Sequence, residues 1–259
     1  MSTETPTLEK EASLANHPVV SREKWIAARK ELLKKEKELY RTRDRISAQR
    51  RELPWVKVDK NYLFDGPDGK VSLSDLFRGR SQLIIYHFMF GPGWKEGCDG
   101  CSFLCDHFDS ARQHFEHRDV AFAAVARAPY AEFAGFKKRM GWQFPWVSSA
   151  NNDFNYDYHV SFTEEQVAKG EAMYNYAPET EAGESHGMSV FYKNEAGEIF
   201  HTYSTYARGG EEALTAFMMM DLTPKGRNEE GTMSWIRHHD KYDSGQTERS
   251  CNCSNPKDS

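Results

Sequence analysis

The sequence predicts an α/β fold in which a cysteine-bearing helix connects two parallel strands. The first observation is an apolar run, Gln82 to Met89, which is typical of a buried strand. A predicted helix then extends from Cys98 to about His117, and a second short apolar strand follows at Val120 to Val125. A strand, a helix and a strand in this order indicate parallel pairing with a right-handed crossover.

The segments after Val125 continue the alternation and end in an antiparallel pair. Gly197 lies between two extended runs and marks a hairpin turn, and Thr163 is expected to cap a helix. We predict, in chain order, a helix at Tyr130 to Met140, an extended segment at Phe144 to Val147, an insertion at Phe154 to Phe162, a helix at Thr163 to Tyr174, hairpin strands at Met188 to Tyr192 and Ile199 to Tyr203, and a closing helix at Glu211 to Met220.

A long amphipathic helix is predicted from Ser21 to about Arg51, after a loose polar tail. No proline or glycine interrupts this segment, and Trp25, Leu32, Leu39 and Ile46 recur every seven residues. A narrow apolar stripe of this kind packs along the main body or against a partner subunit. A homodimer is therefore one of two expected arrangements.

The same helix is a basic segment of an acidic protein. Residues 21–52 hold twelve Lys or Arg and six Asp or Glu, a net charge of +6, which leaves −11 for the rest of the chain and gives the total of −5. The basic side chains surround the helix, and its two aromatic residues, Trp25 and Tyr40, do not alternate with them as in a single-strand binding platform. We therefore expect a solvated face, with pairs such as Glu31 and Lys35, and no nucleic-acid partner.

Composition and length predict one main domain with extensions, located in the cytoplasm. Hydrophobic residues make up 39% of the 259 residues, which suffices for a core once the 18 glycines are added. The chain has no apolar run of about 18 residues and no basic-then-apolar N-terminal order, so we expect no membrane partner. The predicted divisions are a tail and helix at 1–52, a main α/β domain at 53–224 and a polar C-terminal tail at 225–259.

Two of the five cysteines form a Cys-x-x-Cys motif at the start of the predicted helix. Cys98 and Cys101 share one helix face, within reach of a reversible disulfide. At the helix N-terminus, the macrodipole and the unpaired backbone N–H groups favour the thiolate of Cys98, which is the reactive form. Cys101, one turn deeper, is the expected resolving thiol. In a reducing compartment, clustered cysteines are more often catalytic or metal-binding than structural.

The other three cysteines each have two interpretations. Cys105 lies on the same helix face; it is expected to fill the core as a small hydrophobe, and a soft-metal site with Cys98 and Cys101 for zinc or cuprous ion is the alternative. Cys251 and Cys253 form a Cys-x-Cys in the polar tail. Accidental composition is the simpler interpretation, and a shuttle dithiol or additional ligands for a metal held by Cys98 and Cys101 is the alternative.

Three further residues invite a chemical interpretation beside a structural one. Arg127 and Arg208 follow predicted strands and could favour the thiolate of the redox site, although structural ion pairs are commoner for such residues. His87 belongs to the predicted buried strand, where a hydrogen-bonded core residue is the simplest expectation.

The order of elements resembles the thioredoxin fold, with a strand, a Cys-x-x-Cys at a helix start, a further β-α pair, a hairpin and a final helix. More specifically, the sequence is similar to a largely bacterial family of thioredoxin-like proteins, catalogued as a domain of unknown function and described as predicted dithiol-disulfide oxidoreductases. The resemblance covers about Pro18 to Glu230. It rests on the phrases LPWV at Leu53, YHFMFGPGWKEGC at Tyr86, FPWVSS at Phe144, FNYDYHVSF at Phe154, FHTYSTYARG at Phe200 and DLTPKGRNE at Asp221.

The chain departs from thioredoxins at two places. The loop before Cys98, GPGWKEG, is longer, and no proline stands just before the hairpin, where thioredoxins carry a cis-proline that helps keep metals from the thiols. The longer loop also resembles that of peroxiredoxins, in which a proline and a threonine precede the peroxidatic cysteine. Pro92 is present here, but Lys95 and Glu96 stand where the threonine is sought.

Taken together, these features predict a cytoplasmic dithiol-disulfide oxidoreductase that needs no prosthetic group. Cys98 is the expected nucleophile and Cys101 the expected resolving thiol, acting on a disulfide-bearing protein or a small thiol substrate. The first alternative is a thiol peroxidase in which hydroperoxide oxidises Cys98 to a sulfenic acid before Cys101 closes on it. The second is a protein that binds or senses zinc or cuprous ion through the same cysteines.

Overall fold

The computed structural model describes residue 14 and residues 16–242, grouped in two compact units. The first unit contains the described residues up to Pro54 together with Met218–Asn228. The second contains Trp55–Phe217 and the described residues from Glu229 onward. All predicted redox residues that the structure describes therefore belong to the second unit. Within the described part of the chain, no helix is long and apolar enough to cross a membrane.

The predicted long helix is confirmed as α1, Arg22–Glu52, in the first unit. It begins at Ser21, whose hydroxyl accepts a hydrogen bond from the Lys24 backbone N–H at 3.4 Å, and it ends just before Pro54. No residue of α1 is buried. The four heptad positions are between 43% and 67% exposed, and pairing of this stripe with a second copy stays a prediction.

Among its described residues, the second unit contains twelve strands and six α-helices that begin within it. The strands are β1 Val56–Lys57, β2 Leu63–Gly66, β3 Gly69–Ser72, β4 Gln82–His87, β5 Val120–Ala126, β6 Trp146–Ser148, β7 Ser161–Phe162, β8 Met173–Tyr174, β9 Ala177–Pro178, β10 Gly183–Glu184, β11 Gly187–Lys193 and β12 Ile199–Tyr206. The next four helices are α2 Leu73–Leu76, α3 Asp99–Glu116, α4 Tyr130–Met140 and α5 Phe154–Asp157. They are followed by α6 Glu164–Ala168, by α7 Thr215–Met220, which runs into the first unit, and by 3₁₀ turns at Ala207–Ala213 and His239–Lys241.

Eight strands form one mixed sheet in the order β1-β12-β11-β4-β5-β6-β2-β3. β4, β5 and β6 run parallel, and Gln82 of β4 pairs with Val120 of β5, so α3 is the crossover between parallel neighbours as predicted. β11 and β12 form the predicted hairpin, and β11 pairs antiparallel with β4. This central mixed sheet with a cysteine-bearing crossover helix and a terminal hairpin is a thioredoxin-like fold, which confirms the predicted fold class.

Side chains alternate between the two faces of the sheet, and each face is buried. On one face Ile85, Val125 and Phe191 pack together in an apolar core. On the other face Phe122 of β5 lies under α3, with its ring 5.5 Å from that of Phe108. Because both faces are covered, the parallel strands are largely apolar, as their sequence indicates.

Two predicted helices are shorter than expected. The helix predicted at Thr163 to Tyr174 is α6 alone; its capping box between Thr163 and Gln166 is present, but Gly170 adopts a left-handed conformation and β8 follows. The closing helix predicted at Glu211 to Met220 is divided into a 3₁₀ turn and α7, because Leu214 between them has an extended ψ of 85°.

The segment after Pro224 is not uniformly a polar tail. Residues 229–242, which we call the strap, belong to the second unit, and Ile236 and His238 in it are buried. The two compact units divide the chain after Pro54, Phe217 and Asn228, and the predicted domain boundary at residue 225 stays a prediction. The apolar residues Met233, Trp235 and Ile236 explain why the strap packs on the second unit, because burial of apolar side chains stabilises the packing of this otherwise polar segment. Cys251 and Cys253 lie outside the described residues.

Candidate functional site

The cysteine pair lies beyond the carboxyl end of the central strand β4, at the start of α3. After β4, the backbone N–H of Phe88 donates to the carbonyl of Val125 at 2.8 Å, which ties the chain to β5. The backbone N–H of Cys98 then donates to the carbonyl of Met89 at 3.3 Å, and α3 begins at the next residue. Cys98 is therefore the N-cap residue of α3.

The Cys98 sulfur lies at the positive end of the helix. It accepts a hydrogen bond from the backbone N–H of Cys101 at 3.4 Å. Backbone donors and the helix macrodipole stabilise negative charge at this position, so the geometry favours a thiolate at Cys98. Cys98 is also the most accessible of the three described cysteines, at 8% exposure against 2% for Cys101 and 0% for Cys105.

Cys101 lies one turn deeper and has its own backbone donor. The N–H of Met89 donates to the Cys101 sulfur at 3.4 Å. Met89, in the segment between β4 and α3, therefore contacts both cysteines. Its carbonyl accepts a hydrogen bond from the Cys98 N–H, and its own N–H donates to the Cys101 sulfur. Both cysteines are free in the structure, with no disulfide between them.

Cys105 has the environment expected of a cysteine that fills the core. It is fully buried, and burial raises the pKa of its thiol well above the ordinary value, with a further increase from the charge of Asp106. Among residue 14 and residues 16–242, no three His, Cys, Asp or Glu side chains are arranged to hold a metal ion. The alternative metal site that includes Cys251 and Cys253 falls outside this range and stays a prediction.

A buried histidine that sequence reasoning did not select contacts the first turn of α3. Nε2 of His238 lies 2.9 Å from the carbonyl oxygen of Gly97 and 3.0 Å from Oδ1 of Asp99. Its Nδ1 lies 2.7 Å from the guanidinium of Arg139, which can only donate. Nε2 must then carry the ring proton and donate to Gly97 and Asp99. The Asp99 carboxylate beside the cysteine pair thus has a specific hydrogen-bond partner.

The rest of the strap extends this contact over the helix start. Lys241 donates to Glu96 at 2.6 Å, and Arg139 also contacts Glu96. Although burial acts in the opposite direction, the hydrogen bonds from Lys241 and Arg139 lower the pKa of Glu96 to about 2. Met233 lies beside Gly100, where a Cβ atom would come within 3.4 Å of its terminal methyl. The strap therefore lies against the first turn of α3, on both sides of Cys98 in the sequence.

Both arginines considered from the sequence have carboxylate partners. Arg127 forms an ion pair with Glu184, whose other carboxylate oxygen accepts from the Ser161 hydroxyl at 2.6 Å. Arg208 pairs with Glu211 at 2.8 Å. These contacts agree with the structural interpretation of the two residues.

His87 is a buried, hydrogen-bonded residue of β4, as predicted. Its Nε2 lies 2.8 Å from the Ser189 hydroxyl, which in turn lies 2.8 Å from the Ser204 hydroxyl, and His201 contacts Ser204 at 2.7 Å. Burial lowers the pKa of His87 to about 3, so the ring is neutral near neutral pH. This polar row crosses β4, β11 and β12 and links the hairpin to the centre of the sheet.

The fold and the site together define a thioredoxin-fold protein with a Cys-x-x-Cys pair at the N-terminus of its crossover helix. The chain belongs to the family described as "Bacterial protein of unknown function (DUF899)", whose sequence model matches residues 14–242. This match confirms the resemblance inferred from the sequence. No curated protein matches the chain.

Three of the solved structures similar to this chain share low sequence identity with it. A cysteine variant of PrxQ from Xylella fastidiosa is 14% identical, with a TM-score of 0.41, over 64% of this chain and 94% of that chain. The peroxidoxin BcpB from Mycobacterium tuberculosis is 11% identical, with a TM-score of 0.43, over 65% of this chain and 97% of that chain. The bacterioferritin comigratory protein of Xanthomonas campestris is 15% identical, with a TM-score of 0.40, over 60% of this chain and 88% of that chain.

Proposed function

We propose that this protein is a cytoplasmic thiol–disulfide oxidoreductase with Cys98 as nucleophile and Cys101 as resolving thiol. The observation that carries the proposal is the placement of Cys98 as the N-cap residue of α3, with the Cys101 backbone N–H directed at its sulfur. The greater exposure of Cys98 supports the same order of reaction, since the incoming disulfide must reach the nucleophile first.

The two cysteines suffice for a complete exchange. The Cys98 thiolate attacks one sulfur of a substrate disulfide, the substrate S–S bond breaks, and one substrate thiolate leaves. The Cys101 thiolate then attacks the Cys98 sulfur of the mixed disulfide and releases the second substrate thiolate. The substrate is reduced and the Cys98–Cys101 pair is oxidised, so the cycle needs a cellular thiol reductant and no prosthetic group. The substrate of this exchange is a disulfide-bearing protein or a small disulfide.

A thiol peroxidase is the second candidate, and the strap is the observation that favours it. With Cys98 only 8% exposed, a small hydroperoxide reaches the sulfur more easily than a folded protein does. The Cys98 thiolate would attack the terminal peroxide oxygen, the O–O bond would break, and the alcohol would leave after taking a proton. Attack by Cys101 on the sulfenic acid would then form the disulfide and release water.

Single cysteine variants test the proposed division of roles. Cys98→Ser is expected to abolish turnover of a disulfide substrate, because the nucleophile is lost. Cys101→Ser is expected to attack once and remain as a mixed disulfide, seen by mass spectrometry as an added mass that a reductant removes. Cys105→Ser is the matched control and is expected to leave exchange largely intact. Normal turnover by Cys101→Ser, or alkylation of Cys101 or Cys105 ahead of Cys98, contradicts the proposal.

The choice of substrate separates the candidate functions. Reduced protein is assayed in parallel against a protein disulfide, a small disulfide and hydrogen peroxide. A sulfenic acid that a dimedone probe traps in Cys101→Ser after peroxide treatment supports the peroxidase. Stoichiometric zinc or cuprous ion after purification under reducing conditions, with thiols that no longer titrate, supports the metal-binding alternative instead.

A further inference from the structure

Tyr86 lies beneath the face of α3 that carries the deeper cysteines. It belongs to β4 at the centre of the sheet, paired with Met188 of β11, and is 0% exposed. Its ring packs edge-on against that of Phe108 in α3, with 5.2 Å between the centroids. Cys101, Cys105 and Phe108 are spaced i, i+4 and i+7 and so share one helix face. The Tyr86 side chain is therefore directed at the same face as the resolving thiol.

The Tyr86 hydroxyl is fully enclosed but has no hydrogen-bond partner within the part of the chain that the structure describes. Buried hydroxyl groups are almost always hydrogen-bonded, because an unsatisfied one loses its water without replacement. Burial raises the pKa of Tyr86 well above its ordinary value, and the nearby Cys101 thiol raises it further, through its negative charge and a side-chain hydrogen-bonding interaction, although the geometry forms no complete hydrogen bond between them. The group is thus a neutral O–H donor at any physiological pH.

The Cys101 sulfur acquires negative charge at one point of the proposed cycle. When a thiol reductant opens the Cys98–Cys101 disulfide, its thiolate attacks the Cys98 sulfur and the S–S bond breaks. The electron pair of that bond goes to the Cys101 sulfur, which leaves as a thiolate. The Met89 N–H is already in place to donate to this sulfur. A second donor at this position would stabilise the leaving group further.

We propose that the Tyr86 hydroxyl is this second donor and hydrogen-bonds the Cys101 thiolate when the active-site disulfide opens. The role rests on the proposed function, since it requires Cys98 and Cys101 to form a disulfide. It gives a reason for an unpartnered hydroxyl in the core: the group is matched to the charged form of Cys101. Tyr86 thereby sets how easily the oxidised protein is reduced.

The test compares Tyr86→Phe with the wild-type chain in equilibrium with reduced and oxidised glutathione. Phenylalanine keeps the ring that packs on Phe108 and removes only the hydroxyl. We expect the equilibrium to shift about tenfold toward the Cys98–Cys101 disulfide at alkaline pH, the size of one hydrogen bond to a charged group. The shift is expected to shrink as the pH falls, because a neutral thiol gains less from the donor. A purely structural role would give no such pH profile.

Tyr206→Phe is the matched control. Tyr206 is a buried tyrosine whose hydroxyl already donates to the carbonyl of Tyr158 at 3.0 Å. Its removal is expected to lower the free energy of unfolding without moving the glutathione equilibrium. An unchanged equilibrium in Tyr86→Phe at every pH, beside a wild-type chain that does form the disulfide, overturns the role of Tyr86 alone. A wild-type chain in which oxidised glutathione forms no Cys98–Cys101 disulfide overturns both this role and the proposed function.

Discussion

At the scale of single residues, Gly97 determines how closely the cysteine helix can begin against the aromatic core. A Cβ atom at Gly97 would lie 2.6 Å from a ring carbon of Phe88 and 2.8 Å from one of Phe136. The carbonyl of the same residue accepts the hydrogen bond from His238. A residue without a side chain is therefore required immediately before the proposed nucleophile.

We expect Gly97→Ala to destabilise the protein by about 1–3 kcal/mol, because the added methyl group overpacks a buried aromatic cluster. Gly135→Ala is the matched control: Gly135 lies exposed within α4, and a Cβ there meets nothing within 4 Å. The Gly135→Ala change is expected to stabilise the protein by about 0.5–1 kcal/mol, because alanine has a higher helix propensity than glycine. Urea unfolding monitored by circular dichroism measures both. Equal stability of the two variants contradicts the close packing at Gly97.

Single residues also show the limits of sequence reasoning. The i,i+3 spacing of Cys98 and Cys101 predicts their common helix face, because helical geometry is local. The partner of Asp99 could not be predicted in this way, since His238 approaches from the far end of the chain. One signal was available: Trp235 and Ile236 are an apolar pair in a polar segment, and such pairs indicate a buried contact.

At the scale of elements, the strap packs against the start of the cysteine helix α3. Ile236 is fully buried, and the neighbouring Trp235 ring lies 5.8 Å from that of Phe103 in α3. Polar contacts from His238 to Asp99 and from Lys241 to Glu96 align the strap with the first turn of α3. The apolar contacts provide most of the binding free energy, because the ion pair between Lys241 and Glu96 is partly exposed.

Ile236→Ala is expected to loosen the strap and raise the alkylation rate of Cys98 by about tenfold or more, since truncating a buried isoleucine costs about 2–5 kcal/mol. Ile46→Ala is the matched control, because Ile46 is 43% exposed in α1. Rates are measured by mass spectrometry under conditions in which circular dichroism shows both variants folded. A folded Ile236→Ala variant with the wild-type rate would show that the strap does not limit access.

At the scale of the whole molecule, α1 adds a net basic segment with an exposed apolar stripe to an acidic chain. Exposed apolar side chains at seven-residue intervals are typical of a helix that pairs with another helix. A second copy of the chain supplies an identical stripe, which is the requirement of a two-fold symmetric interface.

Removing residues 21–52 is expected to lower the midpoint of thermal unfolding, or to convert a dimer to a monomer, as judged by the mass in solution relative to the mass of one shortened chain. The sharper test is Leu32→Lys combined with Leu39→Lys, which places two charges in the stripe. Lys30→Ala combined with Lys37→Ala alters the helix outside the stripe and serves as control. Light scattering gives the mass and calorimetry the midpoint. If the stripe variant matches the wild-type chain in both, the stripe has no partner.

The sequence by itself determined the central β4-α3-β5 unit, the hairpin and the place of Cys98 at a helix start. These features follow from apolar runs, turn residues and spacings within about 20 residues. Such short-range patterns can be recognised in the sequence without knowledge of long-range contacts. Helix ends were less predictable. The helix predicted to reach Tyr174 ends at Ala168, because Gly170 adopts a left-handed conformation.

Only the tertiary structure decided what surrounds the two cysteines. The contact between Gly97 and His238 joins residues 141 positions apart, and the position of Tyr86 beneath α3 depends on how the helix packs on the sheet. Whether a buried hydroxyl is satisfied is a property of all its neighbours together, so no local pattern encodes it. The covering of Cys98 and the unpartnered hydroxyl of Tyr86 are therefore consequences of packing, which the order of residues alone does not reveal.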